Sequence, residues 1–178
     1  MKVMLLAVVG LVLGSAVSAN AAVSFHVQID GKTQGKFKGE GTGEKLGNIP
    51  SLHLAFEVKS PRDPASGLPT GKRQYSPIVI TKEWGASSTQ IFRALINNEL
   101  LKTVVLNFYK PSANGMEVLF ETWTLTDASV SDIKSYQSPL VSGDAYSGKA
   151  LEDVSFSFRR IEILNQETKD VVVDDVRQ

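Results

Sequence analysis

The chain has 178 residues, 42% of them hydrophobic and 21% charged, with 19 Lys and Arg set against 19 Asp and Glu. That length supports one domain with a sizeable core but is short for two. The balanced charge offers no basic footprint for a nucleic acid or an anionic membrane, and the lack of any cysteine excludes disulfide staples and a lipidated thiol.

Met1-Lys2 is followed by Val3 to Leu13 without a polar side chain. One positive charge before a short apolar run is the pattern of a secretory signal peptide, and the run is too short to span a bilayer. Ala19-Asn20-Ala21 fits the small-x-small pattern that signal peptidase accepts, which predicts cleavage between Ala21 and Ala22. Residues 1–21 are therefore expected to be removed, leaving 22–178 as one exported domain in the periplasm or outside the cell. Loss of Lys2 leaves a formal charge of about −1, and near-neutral surfaces associate readily. No second apolar stretch approaches the length of a membrane span, so the mature chain is not expected to insert in a membrane.

Val23 to Asp30 alternates, with Phe25, Val27 and Ile29 on one face and His26, Gln28 and Asp30 on the other, which predicts a half-buried strand. Gly31 to Gly47 carries six glycines and reads as loop. Leu52, Leu54, Phe56 and Val58 predict a second strand. Ser60 to Gln74 contains Pro61, Pro64, Gly67, Pro69 and Gly71, too many breakers for regular structure and longer than most loops of a compact domain. Tyr75 to Lys82 is strand-like. After Trp84-Gly85, the apolar residues Ile91, Phe92, Leu95 and Ile96 recur at helical spacing, with Ser88 as the predicted N-cap and Asn97-Asn98 as the end. This predicts one helix, over about residues 88–98, lying on a sheet through that stripe. Strands are then predicted over Leu101–Tyr109, Met116–Thr126, Ala128–Tyr136 and Leu151–Leu164. Asn114-Gly115 marks a tight turn, Gln137–Ala150 is a connection, and Val171–Val173 forms a short terminal strand. The pattern is mainly β, a barrel or two-sheet sandwich with one flanking helix.

The residues that could carry chemistry do not assemble into a constellation. His26 and His53 sit on the polar faces of separate strands, without a partner at metal-ligand spacing. No G-x-S-x-G nucleophile elbow is present. Gly67-Leu68-Pro69-Thr70-Gly71-Lys72 is one residue short of a phosphate loop and leads into a strand, and Gly39-Glu40-Gly41-Thr42-Gly43 misses the dinucleotide fingerprint. Glu117 and Glu121, read as sharing one strand face, would stand about 13 Å apart, beyond the separation that glycoside hydrolysis uses. Trp84 and Trp123 could stack on a sugar ring, though a Trp within an apolar strand is more often a packing residue. No enzyme, no cofactor and no metal is expected. Strongly alternating strands with a second, mixed face fit a domain that buries that face by assembling with copies of itself.

Val23-Ser24-Phe25-His26-Val27-Gln28-Ile29-Asp30-Gly31 with Gly35, Ile80-Thr81-Lys82-Glu83-Trp84 leading through Ser88-Thr89, Val104 to Lys110, Glu117 to Ser131, and Leu151 to Phe158 with Ile161-Glu162-Ile163 occur in an order that resembles the Hcp family, the tube proteins of bacterial type VI secretion. The resemblance covers essentially the whole of 22–178. It implies a compact two-sheet β-barrel with one flanking helix, no enzymatic activity, and homo-oligomeric hexameric rings stacked into a hollow tube, with secreted cargo or a tip protein as further partners. It also implies that the loop at Pro61, Arg62, Asp63, Pro64, Gly67, Pro69, Gly71, Lys72 and Arg73 projects from the ring and contacts the next one. The chain departs from that family in its N-terminal signal sequence, which implies a tube or filament built outside the cytoplasm.

Overall fold

The computed structural model describes residues 23–143 and 145–176. The predicted signal peptide and the Ala21–Ala22 cleavage site lie outside them. In chain order the elements are β1 (Ser24–Gly31), β2 (Gly35–Lys36), a 3-10 turn (Gly43–Lys45), β3 (Ile49–Ser51), β4 (His53–Ala55), β5 (Val58–Lys59), β6 (Gln74–Tyr75), β7 (Ile78–Glu83), α1 (Ser88–Ile96), β8 (Leu101–Pro111), β9 (Glu117–Gln137), β10 (Ala150–Ser157), β11 (Arg160–Asn165) and β12 (Val171–Asp175).

The fold is mainly β, two antiparallel sheets closed into a barrel. The first sheet runs from β1 through β8 and the first half of β9 to β11, with β12 on its edge; the second runs from the last half of β9 through β10 and β7 to β4. Two segments turn the corners. β9 pairs with β11 up to Thr126, with β8 as far as Ala128, and with β10 from Ser129 onward. On the opposite side β3 pairs with β1, and its continuation β4 pairs with β7, so the ring of strands closes.

Two expected strands, Met116–Thr126 and Ala128–Tyr136, are thus one. Asp127 takes a left-handed φ of 50° and bends β9 without ending it, and the buried Ala128 is small enough for the inside of that bend. The converse holds for Leu151–Leu164, which breaks at Phe158-Arg159 where the chain passes from the second sheet back to the first. The Asn114-Gly115 turn is as expected: Gly115 has φ 79°, its amide bonds the Ser112 carbonyl at 2.9 Å, and Ser112 bonds back to Met116 at 2.7 Å.

The core follows the alternation. Val27 and Ile29 of β1, Ile78 and Ile80 of β7, Val104 and Leu106 of β8, Leu125 of β9, and Val154 and Phe156 of β10 are buried inside the barrel. Each such side chain contributes about 1.5–3 kcal/mol relative to exposure, which replaces the covalent staples that a cysteine-free chain lacks.

The helix departs from the expected stripe. Ile91 and Ala94 are buried and Leu95 packs on the core, but Phe92 and Ile96 are 56% and 59% exposed. At 100° per residue Phe92 stands a quarter turn or more from Ile91, and the short helix uses the 91/94/95 side to cover the barrel. Ser88 is the first helical residue rather than the cap, and Ser87 at the cap makes no side-chain bond. The Ser88 hydroxyl is drawn elsewhere, accepting from the Gly85 amide at 2.9 Å and donating to Glu152 at 2.8 Å. The helix ends at Ile96, with Asn97 as C-cap and Asn98 at φ 48°, two residues before the expected limit.

Candidate assembly surface

The most distinctive feature outside the barrel is an arm formed by residues 58–75. The breaker-rich segment expected to be an irregular loop is a hairpin. Val58 pairs with Tyr75, Lys59 with Gln74, and further out Arg62 bridges Pro69. The prolines are compatible with pairing because of where they fall. The bonds on either side of the bridge run from Thr70 N–H to Pro61 O at 3.0 Å and from Asp63 N–H to Leu68 O at 2.9 Å, so the missing amide of Pro69 is at a position that donates nothing to the ladder. At the tip the Asp63 carboxylate accepts from the Ser66 hydroxyl and amide, both at 2.7 Å, and the Ser66 hydroxyl is the main reason that Asp63 lies below the usual carboxylate range. Gly67 turns at φ 70°, where a side chain would be strained. Arg62 donates to the Gly67 carbonyl at 3.0 Å, and Leu68 is left 64% exposed.

The root of the arm is fixed to the body. Tyr75 and Arg73 both donate to the Asp174 carboxylate of β12, Arg73 at 2.8 Å. The Tyr75 bond, and after it the Arg73 charge, hold Asp174 below its ordinary range, while burial pushes the Tyr75 phenol up. Beneath them an aromatic chain leads into the core: Tyr75 to Phe56 at 6.3 Å, Phe56 to Trp123 at 5.7 Å, Trp123 to Phe108 at 5.4 Å and Phe108 to Phe25 at 5.4 Å. Trp123 is therefore a packing residue between the arm root and the barrel. Asp174→Ala removes the anchor for both Tyr75 and Arg73. Limited trypsin digestion is expected to cut at Arg62, Lys72 or Arg73 roughly several-fold faster in that variant while the thermal midpoint of the barrel moves little, because local opening is governed by local bonds.

Trp84 behaves differently. It is 56% exposed, yet its indole N–H donates to the Leu151 carbonyl at 3.0 Å, which holds the ring in one pose. Underneath, Lys82 and Glu152 form a buried ion pair at 2.9 Å, and the ammonium also reaches the Glu83 carbonyl at 2.6 Å and Ser88 Oγ at 3.1 Å. Glu99, just past α1, is also buried and accepts from the Thr33 amide at 2.7 Å and the Gln34 amide at 2.8 Å. Burial raises the Glu99 carboxyl, but these donors outweigh it and the net direction is down.

Near the start of β1, Ser24 donates to Glu117 at 2.6 Å, and Lys45 pairs with the same carboxylate. Lys45 lies 4.0 Å over the Tyr109 ring, and His26 meets that ring edge-on at 5.7 Å. Burial and then the Lys45 charge hold His26 below its ordinary value of 6.5, with Glu117 opposing them. A histidine depressed in the fold is bound more tightly by protons in the unfolded chain. Its contribution is intact above 6.5 and is lost as the pH falls through its lowered folded value. Denaturation of the wild-type domain between pH 7 and 5 should therefore show an acid loss of stability that His26→Gln reduces.

Glu117 and Glu121 do not share a face. A bulge between Phe108 and Tyr109 skips Phe120 in the β8–β9 register, so Glu121 lies opposite core-facing Phe108 whereas Glu117 lies on the outer side with Ser24. Glu121 instead accepts from the Trp123 indole at 2.5 Å. His26 and His53 sit on different sheets. Pro61, Arg62, Asp63, Pro64, Gly67, Pro69, Gly71, Lys72 and Arg73 all fall on the arm. The sequence did not reveal Asp174 and Tyr75 as its anchor, nor the surface around Trp84, a residue it offered only as a possible sugar-stacking platform. An aromatic next to Gly85, just beyond an alternating strand, was the available signal for the second.

The structure thus combines a closed β-barrel, a hairpin arm anchored to β12 and a surface indole fixed by a hydrogen bond. The chain belongs to the Hcp family: the family model described as "Type VI secretion system effector, Hcp" matches residues 26–164. That family is structural and non-enzymatic. The chain is similar to the "Major exported protein" of Pseudomonas aeruginosa, at 42% identity over 109 residues that cover 59% of this chain and 61% of that protein. The match thus spans about three fifths of the curated relative's length. Among solved structures the chain resembles "Crystal structure of Hcp protein", with a TM-score of 0.82 and 23% identity over 88% of this chain and 99% of the other. It also resembles "Secreted protein Hcp3 from Pseudomonas aeruginosa", with a TM-score of 0.70 and 26% identity over 88% and 100% of the two chains.

Proposed function

We propose that residues 22–178 form an exported structural subunit that assembles into hexameric rings, and that the rings stack through the arm into a hollow tube. The observation that carries this reading is the arm itself. It is ordered by its own hydrogen bonds, anchored to β12 and presents Leu68 to solvent at its tip. A segment so constrained loses little conformational entropy on docking. Membership in the Hcp family supports the ring, and a relative described as exported supports the location. Sedimentation of the domain at increasing concentration tests the first part: a discrete species of six protomers followed by larger multiples is expected, and a monomer throughout would refute it.

A second reading, a type VI tube component that carries effectors, is favoured by the family description, which names a type VI secretion effector. The two differ at the N-terminus. Sequencing the native protein from the culture medium gives a start at Ala22 if the signal peptide directs export, and a start upstream of it if the chain leaves by the type VI route.

A further inference from the structure

Two adjoining hollows share the Trp84 indole. One, of about 280 Å³, is apolar and lies between Trp84, Phe92 and Ile133 beside Thr89; the other, of about 240 Å³, is bounded by Glu40, Glu83, Pro50 and Leu52. Glu83 is exposed and paired with Lys149 at 2.6 Å, while Glu40 lies against Gly85 and makes no ion pair among the described residues. The surface therefore combines a fixed aromatic ring, an apolar recess and, at Glu40, a carboxylate with no ion pair among the described residues.

The arm carries the complementary groups. Leu68 and Pro69 are its exposed apolar tip, and residues 59–73 hold Lys59, Arg62, Lys72 and Arg73 against Asp63 alone. Arg73 is committed to Asp174, Lys59 to Glu57, and Asp63 to the Ser66 turn; Arg62 and Lys72 have no ion pair among the described residues. Position matters as much as chemistry. The arm root at Tyr75 leads into β7 at Ile78, whereas Trp84 follows the far end of β7 at Glu83. The strand between them spans about 20 Å, so the arm and the Trp84 surface leave opposite ends of the barrel. A contact between an arm at one end and a receptor at the other is heterologous and does not close on itself, which is the geometry of open polymerisation.

We infer that the Trp84 surface is the receptor for the arm of a second copy of this chain, with Leu68 entering the apolar recess and Arg62 or Lys72 meeting Glu40. The assignment rests on the stacking role proposed for the arm and names its partner. Because the chain contains no cysteine, engineered thiols report the contact directly. Leu68→Cys and Phe92→Cys proteins, mixed and oxidised, are expected to form a cross-linked dimer, since a disulfide requires Cα atoms within about 7 Å. Leu68→Cys mixed with Val172→Cys, which lies at the arm's own end, is expected to give none. In a charge exchange, Lys72→Glu should weaken stacking by about tenfold, corresponding to ~1.4 kcal/mol, and Glu40→Lys should recover it in the double variant.

Rings that stack normally while Leu68→Cys fails to bond Phe92→Cys would overturn the receptor and leave the stacking role standing. Rings that never stack would overturn both. Glycan binding that is lost in Trp84→Ala with stacking unchanged would also overturn it, assigning the indole to a sugar instead.

Discussion

Lys82→Met is expected to lower the unfolding free energy by about 3–5 kcal/mol, the loss that follows when one member of a buried ion pair is removed. The ammonium is 1% exposed and all three of its donors are engaged, by Glu152, the Glu83 carbonyl and Ser88 Oγ. Methionine matches the length of the aliphatic stem but leaves the Glu152 carboxylate, itself 5% exposed, without its counter-charge. The cost therefore comes from the abandoned carboxylate more than from the missing bond. The double variant Lys82→Met with Glu152→Leu should recover most of the loss, because replacing both members with apolar groups removes the stranded charge. Urea titrations of the single and double variants measure this, and a single-variant loss below about 1 kcal/mol would show that Glu152 finds another partner or accepts a proton at little cost.

Shortening the arm should have the opposite signature. Replacing residues 62–69 with a tight Asn-Gly turn is expected to leave the barrel folded, with a thermal midpoint within a few degrees of wild type, and to abolish stacking of rings. The replaced residues bond mainly to one another, and those with large apolar side chains are limited to Leu68, which is 64% exposed. Their removal takes almost nothing from the core. The anchor at Tyr75, Arg73 and Asp174 and the aromatic chain below it stay in place. Loss of the folded barrel would mean that the arm is a folding element and would remove the reason for regarding it as a contact device.

The period-2 strands were legible because burial of one face is a local property: Phe25, Val27 and Ile29 alternate in the sequence and are buried in the fold. The same pattern extends through Ile78, Ile80 and Lys82. The charge on the last residue masked an inward-facing position that its parity already indicated. Non-local pairing was less visible. β9 continues through Asp127 because its partners change from β8 and β11 to β10, and no residue near Asp127 encodes that exchange. The bulge at Phe120 likewise depends on the β8 register, and it separates the two glutamates that simple alternation puts together. On the helix, periodicity located the element, but the choice of face was decided by the short span of barrel it covers. Phe92 and Ile96 were left outside as a result, and Phe92 became part of the candidate site. The arm could be read as a long loop from its breakers, whereas neither its hairpin pairing nor its anchor could, since Tyr75 and Asp174 lie 99 residues apart.

Electron microscopy of residues 22–178 at high protein concentration tests the central claim most directly. Six-membered rings, and stacks of them that form a hollow tube in the wild type but not in the arm-shortened variant, are the predicted result. A uniform field of monomers, with no rings in either protein, would contradict it.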